Sequence, residues 1–128
     1  MDVHLIGSAQ PHELVEFLCP GLEHRAAGRW MSDAAHQPGP VNVELEFRDD
    51  FAWDRTIRVV AAAPSLATSA GRTIVVATVL DAEANGVLTL RIGDGIVVVS
   101  TIGEPPSGLP GATVELTADE VELYPYDL

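Results

Sequence analysis

The residues from Glu46 to Arg55, EFRDDFAWDR, concentrate four carboxylates, two arginines and three aromatic rings in ten positions. Such a set could hold a metal, supply a paired general acid and base, or dock a partner. Each chemistry sets its own spacing. A calcium loop needs oxygen ligands at alternating positions followed by a glutamate, which Asp49, Asp50 and Asp54 do not provide. Glycoside hydrolysis needs two carboxyls facing each other across a cleft, which neighbours in one loop seldom achieve. Two readings remain. In the structural one, Arg48 and Arg55 pair with loop acids or across a strand ladder, while Phe51 and Trp53 fold back as a plug. In the docking one, Asp49, Asp50, Phe51, Trp53 and Asp54 face a partner, because charge-ringed aromatics on loops are the usual make-up of interaction hot spots.

The end of the chain, VELYPYDL, allows the same two readings. Tyr124 and Tyr126 around Pro125 form either a recognition tail or part of a last strand that closes a sheet edge. Val121 and Leu123 alternate with Glu120 and Glu122, which favours the strand.

Other candidate groups fit chemistry less well. His4, His12, His24 and His36 share the first 36 residues with Cys19, but no short Cys-x-x-Cys or His-x-x-x-His clamp joins them. Tetrahedral zinc usually needs such a clamp, so no metal is expected. Cys19 precedes Pro20 at what reads as a helix C-terminus, where the dipole disfavours a thiolate. No serine sits in a Gly-x-Ser-x-Gly elbow. IGDGIVVV has its glycines between two strands, whereas nucleotide fingerprints need a helix N-terminus to receive phosphate. No cofactor is therefore expected, and the reading is of a non-enzyme.

The totals narrow the classes further. The chain has 128 residues, 47% of them apolar, which suits one globular domain with a core that needs no staple. No apolar run approaches the ~20 residues of a membrane span. MDVHLIGSAQ lacks the basic start and long apolar stretch of a secretory signal, and the single cysteine permits no internal disulfide, so the cytoplasm is expected. Nineteen acids against seven bases give a net charge of −12. All seven bases are arginine, a composition typical of GC-rich bacterial genomes. They are scattered along the chain, which argues against binding nucleic acid through its phosphates. From Glu104 onward there are six carboxylates and no base, a surface that would attract a basic partner.

The elements that must position these groups are mostly strands. Residues 1–40 stand apart as a helical N-terminal segment packed on a β portion spanning 41–128. SAQPHELVEFLCPG carries helix signals: a cap at Ser8 or Gln10, Pro11 in the first turn, and Leu14, Phe17 and Leu18 on one helical face. LEHRAAGRWMSDAAH reads as a second, weaker helix with Gly28 as a liability. From Val41 the period is two. VNVELEFR alternates without a break, and RTIRVVAAA reads as its antiparallel hairpin partner, with PSLATSAG as a loop beyond it. RTIVVATVLD, GVLTLRI and GIVVVST follow as strands, joined at Asn85-Gly86 and Asp94-Gly95. GEPPSGLPG is a rigid loop before the last one or two strands. The fold class is thus mainly β (α+β): one domain, a small antiparallel barrel or sandwich of six to seven strands. The order of strands, glycine turns and Pro-Gly loop over residues 70–123 resembles five-stranded barrels of the OB type.

Three functions fit this reading. The first is a protein-binding module, with an acidic immunity or antitoxin-like inhibitor as one concrete version, since such proteins present carboxylates to basic enzymes. The second is an OB-like domain for oligosaccharide or nucleic acid, which its fold would imply and its charge opposes. The third is a homo-oligomer built through apolar strands such as GIVVVST.

Overall fold

The computed structural model describes residues 1–22 and 24–126, and every regular element among them is a strand. In chain order these are β1 (Asp2–Leu5), β2 (Leu14–Leu18), β3 (Arg25–Trp30), β4 (Gly39–Phe47), β5 (Asp50–Ala52), β6 (Ile57–Val59), β7 (Ser65–Ser69), β8 (Arg72–Ala82), β9 (Val87–Ile92), β10 (Gly95–Ile102), β11 (Thr113–Ala118) and β12 (Val121–Pro125). They form two sheets. One is a closed five-stranded barrel, β1-β2-β3-β12-β4; the other runs β5-β10-β9-β8-β11-β6, with β7 added along β8.

Among the described residues the expected N-terminal helices are absent, and the fold is all-β. LVEFL supports either period. A helix would group Leu14, Phe17 and Leu18, whereas the chain buries Val15 and Phe17 and turns Leu14 and Glu16 outward. A β-branched residue and an aromatic spaced two apart fit a pleated face, and five residues are too few for helical periodicity to decide. RAAGRW behaves likewise: Ala26, Gly28 and Trp30 point inward and pair with β2 from Arg25↔Leu18 to Arg29↔Leu14. Gly28 is a packing requirement here and no helix liability. A Cβ at this position would lie 3.1 Å from Val121 Cγ1, Leu123 Cγ and the Val121 carbonyl oxygen of the adjacent parallel strand.

The OB-type reading also changes. The closed five-stranded barrel takes four of its strands from the first 47 residues and its fifth, β12, from the end of the chain. Residues 72–118 instead supply the meander β8-β9-β10 and β11 of the second sheet. The hairpins there follow the turn chemistry. Gly86 (φ 90°) closes β8-β9, and the two-residue loop Gly93-Asp94 closes β9-β10 with Gly93 left-handed. PSLATSAG is partly a strand: β7 doubles back onto β8 through Ala70 and Gly71, both left-handed, the geometry tight hairpins favour.

The best-alternating strand, β4, does not form a hairpin with the strand that follows it. It pairs with β1 and β12 in the barrel, while β5 pairs in parallel with β10 and β6 pairs with β11 in the other sheet. EFRDDFAWDR is therefore the crossover from one sheet to the next. Its turn draws the two ends of the second sheet together: Trp53 bridges Ile57, and the amides of Arg55 and Thr56 both donate to the Ala52 carbonyl. The second sheet thereby comes close to closing on itself. Both sheets share one apolar core, which includes Phe17, Trp30, Phe51, Trp53, Leu90 and Leu123.

Candidate functional site

The sequence-predicted residues divide by burial. Phe51 is fully buried and Trp53 is 8% exposed, so both rings belong to the core. Phe51 meets Phe47 edge-on, with ring centroids 6.0 Å apart. The backbone amide of Trp53 donates to the Ile102 carbonyl, and its indole Nε1–H finds no acceptor within the described protein. Asp50 is exposed on β5, and Asp54 is exposed in the crossover turn with φ 67°. Asp49 is half-buried and accepts from the Asp119 amide at 3.2 Å.

The barrel brings Asp49 beside Asp119, seventy positions away in sequence, and sets Tyr124 and Tyr126 towards the other end of the same strand pair. The antiparallel register of β12 on β4 sets Glu122 opposite Glu46 and Tyr124 opposite Glu44. Because side chains two apart share a face, Glu120, Glu122, Tyr124 and Tyr126 line up on the outside of the barrel beside Glu44 and Glu46. Parallel pairing on the other edge of β12 adds Arg29 of β3, opposite Glu122. The result is a carboxylate ladder with two arginines at one end and two phenols at the other.

The hydrogen bonds on this face are charge-assisted. Arg29 holds Glu120 in a fork, Nε to Oε2 at 2.8 Å and Nη2 to Oε1 at 2.7 Å. This bond, together with the guanidinium charge, lowers the Glu120 pKa below the usual carboxylate range and raises that of Arg29. Arg48 Nε reaches Glu122 Oε2 at 2.8 Å across the ladder, and the bond raises the Arg48 pKa. The Glu122 side chain is only 5% exposed although its partner is largely in solvent. It also accepts from the Tyr124 hydroxyl at 3.2 Å. Desolvation, reinforced by the Glu122 charge, raises the Tyr124 pKa. Tyr126, 49% exposed, donates to Glu44 Oε2 at 3.5 Å. Beside these pairs lies a hollow of about 290 Å³, lined by Arg48, Asp49, Asp119, Glu120 and Glu122.

Sequence reasoning singled out the two tyrosines and Asp49 but did not group Glu44, Glu46, Glu120, Glu122 and Arg29 with the tyrosines on one surface. The signal was present: VELEF and EVELY both place glutamates at alternate positions, so each offers an acidic face. What joins those faces is the pairing of β12 with β4, which no local pattern records.

The remaining candidates are dispersed. His12 Nε2 lies 2.8 Å from Asp33 at the surface, and the His36 ring sits 5.7 Å from that of Trp30. Cys19 follows β2 with no helix near it; burial, aided by the Asp94 charge, pushes its thiol up to about 12. The thiolate is disfavoured, then, by desolvation and not by a helix dipole. Among the described residues, no group of three or more His, Cys, Asp or Glu side chains is placed to hold a metal. A larger cleft of about 520 Å³ opens between the loop after β2 and the strands β8 and β9, with His24, Ser65, Thr78 and Arg91 on its walls. Among the described residues no helix is long and apolar enough to cross a membrane. Comparison with protein-family models, curated proteins and solved structures finds no match to this chain.

Proposed function

We propose that this protein is a non-enzymatic protein-binding module whose β3-β12-β4 face docks a basic partner. The observation that carries the reading is the alignment of Glu44, Glu46, Glu120 and Glu122 with Tyr124 and Tyr126 on one outer barrel face. Two arginines neutralise only part of it. Arginine clusters or basic loops on a partner would find Glu44 and Glu46 as exposed acceptors there, and a half-exposed tyrosine to pack against. Complementary charge of this kind speeds encounter and selects partners. An immunity or antitoxin-like inhibitor, occupying the cationic site of an enzyme, is the concrete form we favour, in a bacterial cytoplasm. The same carboxylates would repel phosphates, which weighs against the nucleic-acid reading of a small barrel.

Affinity purification from the native cell tests this, with the wild type and a Glu44→Lys/Glu46→Lys variant as baits. Both side chains are exposed, so the variant should fold. The expected result is a basic protein held by the wild type, released as salt is raised, and lost from the variant. A partner indifferent to both salt and the double substitution would remove the proposal.

A further inference from the structure

Strand β10 presents a second surface of opposite character. Its inward residues Val97 and Val99 are core, while Ile96, Val98 and Ile102 point outward and are 60%, 60% and 55% exposed. Register extends this strip sideways. On β9, Arg91 lies beside Ile96, Thr89 beside Val98 and Val87 beside Ser100; on β5, Asp50 lies beside Ser100 and Ala52 beside Ile102. Across these three strands the outer face carries one cation and one anion, in a chain of net charge −12. Further carboxylates lie at its margins, Asp94 in the β9-β10 turn and Asp81 beyond β9 on β8. The face is thus a neutral, apolar window in an acidic surface.

We propose that this window, centred on Val98, joins two copies of the chain about a two-fold axis. Neutrality selects the occupant. A basic partner finds no excess of acid to pair with here, whereas two acidic copies can meet at this face without like charges opposing. The placement of the two ions is specific. Arg91 and Asp50 lie on opposite sides of β10 and at opposite ends of the segment from Ile96 to Ser100, with Val98 midway. A two-fold axis through Val98, in the interface and perpendicular to the line joining them, sets each Arg91 on the partner's Asp50. Isologous contacts require self-complementarity of this kind. With strands about 4.8 Å apart and about 3.3 Å of rise per residue, that axis crosses the two β10 strands at roughly 70°, near the orthogonal class of sheet packing. The same spacings give a window of roughly 14 by 25 Å, well short of the ~800 Å² per partner of a standard interface, so the dimer is weak and reversible.

Sedimentation velocity across a wide range of protein concentrations tests the inference. The wild-type mass should climb from 13.6 kDa towards twice that value as concentration rises. Val98→Asp, at an exposed position, should keep the wild-type circular dichroism and melting temperature yet stay monomeric at every concentration. Arg91→Asp and Asp50→Arg should each weaken association by about tenfold, because each sets like charges face to face, and the double exchange should restore it. A wild type that is monomeric throughout overturns the proposal, even if Val98→Asp abolishes binding to some other protein. So does a dimer untouched by Val98→Asp, or one that the double exchange fails to restore. The carboxylate face plays no part in this test, so its result is independent of the partner-binding reading.

Discussion

Trp53 shows how a residue's neighbours change its meaning. In the sequence it stands among Asp49, Asp50 and Asp54, the company a docking aromatic keeps. In the fold those acids point to solvent or to a neighbouring backbone amide, while the ring goes inward at 8% exposure. Its backbone bridge to Ile57 fixes the crossover turn that brings β5 towards β6. Removing the ring therefore removes core. Trp53→Ala should cost about 3–5 kcal/mol of unfolding free energy, as large aromatic truncations in cores do. Trp53→Phe should cost much less. It keeps most of the buried area and deletes an indole N–H that has no protein acceptor, a group whose burial costs roughly 1–3 kcal/mol. Urea denaturation of the two variants checks the contrast; equal losses would mean the indole nitrogen contributes favourably. Cys19 teaches the same lesson. The disfavoured thiolate was legible from the sequence, but its cause was not, because burial cannot be read from one flanking proline.

At the scale of elements, legibility followed the length and regularity of the pattern. VNVELEFR, GVLTLRI and GIVVVST alternate long enough that only a strand satisfies them, and the glycine turn between the last two fixes their pairing. LVEFL and RAAGRW were misread because five or six residues satisfy both periods. The deciding interaction lies elsewhere in the chain: β3 lies between β2 and β12, and its inward positions must be small where β12 runs close. Gly28 carries that constraint. A helix would gain about 1 kcal/mol from alanine at a glycine. Here the added methyl would sit 3.1 Å from Val121 and Leu123, including a backbone oxygen that cannot give way. Gly28→Ala should therefore lower stability by about 1–3 kcal/mol, the usual cost of overpacking. A rise in melting temperature would show that β3 and β12 can separate, and would weaken the account of barrel closure.

At the scale of the whole molecule, the partition into two sheets was the least legible feature, because it depends on where long-range pairings form. Both the crossover at EFRDDFAWDR and the return of β12 to the barrel place neighbours in sequence on different sheets. That arrangement also decides how charge is spread. Carboxylates outnumber arginines nineteen to seven, and β12 brings the acids of the chain's end against those of β4. Two electrostatic effects oppose each other when salt is added. Screening weakens the Arg29–Glu120, Arg58–Glu115 and Arg25–Glu16 pairs, but exposed pairs of this kind contribute only about 0–1 kcal/mol each. Screening also relieves the self-repulsion of a chain at −12, which acts between all its acids at once and opposes compaction. Repulsion should dominate, so stability should rise between low and physiological ionic strength. A gain of about 1 kcal/mol corresponds to a melting temperature higher by roughly 3–6 °C for a domain of this size. Thermal denaturation over a sodium chloride series measures it directly. A melting temperature that falls with salt would mean that the arginine–glutamate pairs outweigh the net charge. The β3-β12-β4 face would then be a structural clamp, its carboxylates already satisfied within the molecule.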